Sequence, residues 1–266
     1  MRRVSRIDDQ RRAIELWCAT PSQIDESLMS EYRKLLSETE RAQEMRMYFD
    51  RDRCRYLVTR ALVRIVLSKY APVAPEDWVF ALSQYGKPSI SSPHSLAADI
   101  SFNITHGGNL IIIAVTRGID IGVDTESISS RLAPLGVLKS SFSSSEISSI
   151  LSLSGAEKNQ RFYEHWTLKE AYVKARGLGT YIPLEAVDFD LKKEGLIELR
   201  FDPIWSDQSS RWYLWQLWPD DEHVVAVCAE NLGTYPPKLS MTSIVPFLKE
   251  VPCSYRLTRV SALPKF

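Results

Sequence analysis

The sequence predicts an α+β protein made of two α+β halves, and three observations carry that reading. Residues 37–70 hold no Gly or Pro and repeat apolar side chains at helical spacing, after which short alternating segments replace the helix. The same succession returns downstream, with a helical pattern over 162–176 and a strand pair over 212–229. At 266 residues the chain can bury the core of one large domain or of two small ones. Helix followed by strands, twice over, sets a boundary near Arg117. It divides the chain into an N-terminal half, 1–117, a C-terminal half, 118–234, and a Pro-punctuated, weakly patterned appended tail, 235–266.

In the first half, Ser37 and Glu40 form a Ser-x-x-Glu opening of capping type, and Met45, Phe49, Leu57, Ala61 and Val66 follow at helical intervals. One long helix or a pair satisfies this pattern. Its surface carries Arg41, Arg46, Arg51, Arg53, Arg55, Arg60 and Arg64, interleaved with Glu38, Glu44, Asp50 and Asp52. Either these arginines are a solvated face paired with those carboxylates, or a few of them meet a polyphosphate. Beyond Pro72 and Pro75, residues 79–82 read as a strand and Tyr85-Gly86-Lys87-Pro88 as a turn. Ile100, Phe102 and Ile104 then alternate with Ser101, Asn103 and Thr105. His106-Gly107-Gly108-Asn109 turns this strand into the apolar run that starts at Leu110, a hairpin with His106 at its rim.

The second half opens with a strand over 119–126. Residues 127–154 are rich in serine and read as a loop leading into a helix near Ser144. The helix over 162–176 is closed by Gly177 and Gly179, and residues 212–218 and 223–229 form a hairpin across Pro219-Asp220-Asp221.

Lys and Arg number 33 against 33 Asp and Glu, with a pI near 6.9, so general attraction to nucleic acid or an anionic membrane is not expected. Cys18, Cys54, Cys228 and Cys253 are far apart without a CxxC pair, which argues against a zinc site or a disulfide framework and for thiols of a reducing compartment. The opening residues are broken by charges every few positions and offer no signal-peptide core. The longest apolar run, 110–115, is far short of the ~20 residues of a membrane helix. A cytoplasmic, non-membrane protein is the expectation.

Chemistry concentrates in two places. Side chains two apart on a strand share a face, so Asp124 and Glu126 project together while Ile121, Val123 and Thr125 face the other way. Two carboxylates on one edge suit a hard cation such as Mg²⁺, and an exposed strand end is the alternative. On the helix over 162–176, Phe162, Trp166 and Val173 lie on one side and Leu168, Ala171 and Ala175 on another, which predicts a largely buried helix with Trp166 as a buried aromatic. Tyr163, Thr167, Glu170 and Lys174 share a polar strip between those sides, and Lys169 flanks Trp166 on its other edge. Glu170 and Lys174 are either an i,i+4 structural pair or part of a site. Asp124, Glu126 and Glu170 around Mg²⁺, with lysines nearby, would meet the needs of phosphoryl transfer. Neither GxxxxGKS nor GxGxxG is present, so scattered basic residues, with Lys87 and His106 as candidates, must grip a phosphate ligand. A lone His at a hairpin rim is equally read as structural.

Four ordered segments carry a family resemblance. Gly86-Lys87-Pro88, Phe102-Asn103-Ile104-Thr105-His106, Gly122-Val123-Asp124-Thr125-Glu126 and Trp166-Thr167-Leu168-Lys169-Glu170-Ala171-Tyr172-Val173-Lys174 resemble the signatures of the Sfp-type 4′-phosphopantetheinyl transferases. The likeness runs over about 37–229 and leaves the first 35 residues and those beyond Tyr235 uncovered. It implies transfer of the phosphopantetheine arm of coenzyme A to a serine of an apo acyl or peptidyl carrier protein, with release of adenosine 3′,5′-bisphosphate. It further implies two similar halves related by a pseudo-twofold, with coenzyme A in the cleft between them. By that likeness Asp124, Glu126 and Glu170 hold Mg²⁺ or Mn²⁺, and Glu170 is the leading base. Lys174 is placed on the pyrophosphate as a cofactor-binding and catalytic residue, Lys169 matches a second, cofactor-binding lysine of the same helix, and Asp124 also counts among the cofactor contacts. Lys87, Thr105, His106 and Arg55 match positions at the nucleotide end, His106 at the 3′-phosphate. Glu146 matches a recurrent acidic residue, and residues 127–143 correspond to a loop of the carrier-docking surface.

Two departures stand out. Thr105 replaces the usual serine and keeps its hydroxyl, and the lysines that some members carry before the long helix fall at Glu40 and Gln43, with Arg41 or Arg46 as substitutes. With both halves in one chain, a monomer is expected that needs neither nucleic acid nor membrane. The rival readings are a Mg²⁺-dependent nuclease or phosphohydrolase, and an inert module that binds carrier proteins or nucleotides.

Overall fold

The computed structural model describes residues 13–91, 94–129, 132–232 and 236–261. The first half begins with strand β1 (Ile14–Ala19), which the sequence pattern did not single out, and helix α1 (Glu26–Lys34). The helical stretch that follows is a pair, α2 (Glu38–Met45) and α3 (Asp50–Leu67). Ser37 caps α2 as expected, its hydroxyl accepting the Glu40 N–H at 3.2 Å while the Glu40 carboxylate accepts the Ser37 N–H at 3.0 Å. Strands β2 (Phe80–Leu82), β3 (Pro88–Ile90), β4 (Ile100–Gly107) and β5 (Leu110–Arg117) complete this part.

The second half repeats the plan. Strand β6 (Ile121–Ser127) is followed by short helices α4 (Leu138–Ser141) and α5 (Ser144–Leu151), the long helix α6 (Gly155–Arg176), and strands β7 (Val187–Asp190), β8 (Leu196–Phe201), β9 (Trp212–Trp218) and β10 (His223–Glu230). In each half a first strand leads to a long helix, then to a short hairpin, then to a hairpin whose second strand pairs antiparallel with the first strand: β5 with β1, β10 with β6.

Strand β5 shows why its sequence is so apolar. Ile111, Ile113 and Val115 pack under α3, with Leu57, Ala61 and Val66, whereas Leu110, Ile112 and Ala114 face a second core shared with Val123, Leu217, Val225 and Val227 of the other sheet. A strand buried on both faces has no polar alternation to show. A third core, including Leu168, Ala171 and Ala175 of α6 with Ala226 and Cys228 of β10, closes the stack. The layers therefore run helix, sheet, sheet, helix.

The expected appended tail is not one. Strands β11 (Leu239–Val245) and β12 (Lys249–Pro252) join the first sheet, where β11 lies parallel to β1 in the order β12-β11-β1-β5-β4. Strand β13 (Arg256–Ser261) enters the second sheet between β9 and β8, in the order β6-β10-β9-β13-β8-β7. Alternation is weak in these strands because their outer faces are half-exposed, and their partners lie far away in sequence, beyond the reach of local pattern. Residues 1–12, at the head of the expected first half, 262–266, at the end of the expected tail, and 130–131 of the serine-rich loop lie outside the described residues.

Helix α6 starts seven residues before the predicted position and ends at Gly177, whose φ of +66° supplies the left-handed cap that an L side chain resists. Tyr163 and Thr167, expected on a polar strip, are buried, and the Thr167 hydroxyl donates back to the Tyr163 carbonyl at 2.9 Å. Trp166 is only half-buried, its ring stacked on Phe162 at 5.9 Å, so the expectation of a buried aromatic is corrected. Among the described residues no helix is long and apolar enough to cross a membrane.

Candidate active site

The two sheets meet where β4 lies along β6. The Val123 N–H donates to Asn103 Oδ1 at 2.9 Å and the Thr125 N–H to the Thr105 hydroxyl at 3.3 Å, so side chains of β4 substitute for a backbone ladder. Gly107 permits this approach, because a Cβ there would stand 2.4 Å from the Thr125 carbonyl oxygen. On the other side of β6, a Cβ on Gly122 would stand 2.0 Å from the Ala171 carbonyl oxygen, so the missing side chain lets α6 press directly on the strand.

Gly122 and Asp124 share a face, and that close packing brings the C-terminal turn of α6 over Asp124. The Lys174 amine donates to Asp124 Oδ1 at 2.6 Å and to the Val123 carbonyl at 3.2 Å. The Thr105 hydroxyl donates to the same carboxylate oxygen at 2.9 Å. Oδ2 of Asp124 is buried and has no hydrogen-bond partner among the described residues. Glu170, one helical turn before Lys174, has its carboxyl pushed above the ordinary range by burial and by the neighbouring Asp124 charge, against the opposing pull of Lys174. Both features fit a cation, which would satisfy Oδ2 and offset the repulsion between the two carboxyls. Among the described residues, however, no three His, Cys, Asp or Glu side chains stand close enough together to form a ready metal cage. Asp124 and Glu170 are brought together, while Glu126 faces the neighbouring cavity.

That cavity has a volume of about 810 Å³ and is lined by Arg51, Cys54, Arg55, His106, Gly108 and Glu126, among others. Burial, then the Arg55 charge, hold the His106 imidazole below its ordinary value. Arg55 is steadied by Asp52 at 2.7 Å. A second cavity of about 250 Å³ lies between the β2–β3 hairpin and the end of α6, lined by Tyr85, Lys87, Asn103, Val173 and Lys174, among others. Here the Lys87 amine donates to the Ala175 carbonyl at 2.9 Å and faces Asp120 at 3.8 Å, capping the negative end of α6, and burial lowers its pKa. Lys87 therefore belongs to a different cavity from Arg55 and His106.

A family model described as 4'-phosphopantetheinyl transferase superfamily matches residues 120–228, and one described as 4'-phosphopantetheinyl transferase, N-terminal, matches residues 17–118. The 4'-phosphopantetheinyl transferase HetI of Nostoc sp. is 31% identical over 223 residues, which span 84% of this chain and 90% of that protein. The chain belongs to the Sfp-type 4′-phosphopantetheinyl transferases. The 4'-phosphopantetheinyl transferase Sfp of Bacillus subtilis is 29% identical, with 80% of this chain and 89% of that one covered. A crystal structure of Thermotoga maritima holo-[acyl-carrier-protein] synthase aligns with 44% of this chain and 66% of its own at 19% identity and a TM-score of 0.35.

In this phosphopantetheinyl transferase, Lys169 does not reach either cavity, which corrects its assignment as a cofactor ligand. Consecutive helical residues point ~100° apart, so the neighbour of Glu170 faces inward. The Lys169 amine is fully buried, 2.8 Å from Glu146 Oε2 and 2.8 Å from the Leu184 carbonyl, with the Val187 carbonyl as a further acceptor. Glu146 also accepts the N–H groups of Ser143 at 2.8 Å and Phe189 at 3.0 Å, so this pair ties α5, α6 and β7 together behind the site. Burial raises the Glu146 carboxyl and lowers the Lys169 amine, each opposed by the other's charge.

The substitutes proposed for the missing lysines fare similarly. Arg41 and Arg46 are exposed and line neither cavity, while Arg51 lines the larger one. Its spacing of four from Arg55 on one helix was the available signal. The role of Gly122 had no such signal, because it depends on which helix packs against the strand.

Proposed function

We propose that this transferase moves the phosphopantetheine arm of coenzyme A onto a serine hydroxyl of an apo acyl or peptidyl carrier protein with Glu170 as the base. The single observation that carries the assignment of roles is the Asp124 carboxylate, held through Oδ1 by Lys174 and Thr105 while the buried Oδ2 lacks a partner among the described residues. The serine oxygen bonds to the phosphorus that bears the arm, and the bond from that phosphorus to the bridging oxygen breaks. Adenosine 3′,5′-bisphosphate leaves, and the serine proton passes to the Glu170 carboxylate.

Lys174 offers a fixed positive charge beside the pyrophosphate, where charge builds up as the bridging bond breaks. Arg55 and His106 receive the 3′-phosphate in the larger cavity, and that anion favours the protonated imidazole that burial and Arg55 oppose. Lys87 shapes the smaller cavity at the nucleotide end through its hold on α6, and Thr105 orients Asp124. Asp124 and Glu170 would hold Mg²⁺ or Mn²⁺, and Glu126 would join them only from the wall of the larger cavity. Such an ion, when bound, neutralises the pyrophosphate and stabilises the departing oxygen.

The reading is tested by incubating the chain with coenzyme A, Mg²⁺ and an apo acyl carrier protein. The expected result is a phosphopantetheine mass gain on the carrier, equimolar with adenosine 3′,5′-bisphosphate and lost in EDTA. A carrier of unchanged mass overturns transfer, and full turnover in EDTA overturns the metal. A panel of apo acyl and peptidyl carriers would then identify the one served.

A further inference from the structure

The arginines that line no cavity surround an unusual surface. Between α2 and α3 the chain exposes Met45, Tyr48 and Phe49 at 82%, 88% and 64%, with the two rings packed edge to face at 5.1 Å. Large side chains rarely stand this far out of the surface in a cluster unless something covers them. The turn that carries them is firmly built. Arg53 donates to the Met47 carbonyl at 3.3 Å, and the Phe49 carbonyl accepts the Asp52 and Arg53 N–H groups at 3.0 and 3.1 Å. The charge around it is mixed, since Asp50 and Asp52 pair with Arg51, Arg53 and Arg55. Arg41 and Arg46 are exposed, and neither has a carboxylate within ion-pair distance among the described residues.

The position of the cluster narrows its occupant. The same turn runs into Arg51, Cys54 and Arg55, which line the large cavity, so Phe49 and Tyr48 precede its first helical lining residue by two and three positions. Resting on the proposed transfer reaction, the acceptor serine must arrive at the cavities on a folded protein, whose surface then covers the ground next to them. We propose that the Met45, Tyr48, Phe49 and Arg46 patch docks the carrier protein, by a face that sets apolar side chains among carboxylates next to the acceptor serine. Aromatic side chains that become desolvated on contact supply most of the affinity of such an interface, and Arg46 adds orientation and encounter rate. This face lies on the N-terminal half and is separate from residues 127–143.

The test compares the wild-type chain with Tyr48→Ser/Phe49→Ser and with Arg46→Glu. Coenzyme A affinity is measured by calorimetry, transfer to an apo acyl carrier protein by mass, and carrier binding without coenzyme A by titration of labelled carrier. Each variant is expected to raise the KM for the carrier about tenfold or more, the equivalent of ~1.4 kcal/mol. Coenzyme A affinity and the rate at saturating carrier should stay within about twofold. Variants that keep the wild-type carrier KM overturn the docking face and leave transfer standing. So does an equal loss of coenzyme A affinity, which would assign the patch to the coenzyme. A wild-type chain that sediments as a dimer dissociated by these substitutions also overturns it, since a second copy would then be the occupant. A wild-type chain that binds the carrier through this face without adding mass to it overturns the transfer reading alone.

Discussion

Lys174 and Asp124 are joined from helix to strand: the amine donates to Oδ1 at 2.6 Å, and the strand can come so near only because Gly122, two residues earlier, has no side chain. This pair sets the charge balance of the site. One carboxylate oxygen is committed to the lysine and to Thr105, and the other is left for a ligand.

Asp124→Asn keeps the shape and the Thr105 contact but removes the charge. Transfer is expected to fall by about 100-fold or more, the scale of losing one preorganised electrostatic partner. Mass-detected carrier modification beside a thermal melt checks this. Near-normal turnover of a folded variant would remove Asp124 from the mechanism.

Glu170 should trade stability for activity in a pH-dependent way. Its carboxyl is raised by burial and by Asp124, so the folded state binds that proton more tightly than the unfolded state. The resulting stabilisation is fully present below the ordinary carboxylate pKa and is lost as pH rises through the higher folded value. In EDTA, Glu170→Gln should therefore melt above wild type near neutral pH, with the gap closing toward pH ~4. Transfer should be abolished throughout. Melting scans across pH decide it, and a variant less stable than wild type at neutral pH would contradict the sign.

Lys169→Met would leave the buried Glu146 carboxylate without its counter-charge. Breaking a buried pair from one side typically costs ~3–5 kcal/mol. Urea unfolding should show a loss of that size, with coenzyme A affinity of the folded fraction preserved. A weakened coenzyme affinity at unchanged stability would return Lys169 to the site.

Gly122→Ala places a methyl group where the Ala171 carbonyl oxygen stands 2.0 Å away. Backbone cannot step aside as a flexible side chain can, so the destabilisation should reach or exceed the ~1–3 kcal/mol of ordinary overpacking. The measurable outcome is a lower unfolding midpoint together with lost transfer.

Much of the fold was legible because it is local. The Ser37 and Glu40 box, the run at β5 and the Gly177 stop each act within a few residues of themselves. Asp124, Glu170 and Lys174 were legible as chemistry because strand and helix periods place them on shared faces. Lys169 was misread because matching a lysine on the helix gives its position in the sequence but not what lies beside its amine. Only the fold reveals that Glu146, far upstream, occupies the space behind α6. Lys87 was separated from His106 for a similar reason, since the β2–β3 hairpin and the β4–β5 turn are close in sequence yet border different cavities.

Because β11 lies beside β1 and β13 lies between β9 and β8, neither sheet can be finished until residues 239–261 have been synthesised. The pairing of Ile14 with Leu239 closes nearly the whole chain into one loop, a long-range step whose entropy must be met before β1 and β11 pair. Until that closure, β1 and β9 each present an open edge on the ribosome, so nascent chains stalled before residue 239 should be the forms most prone to aggregate.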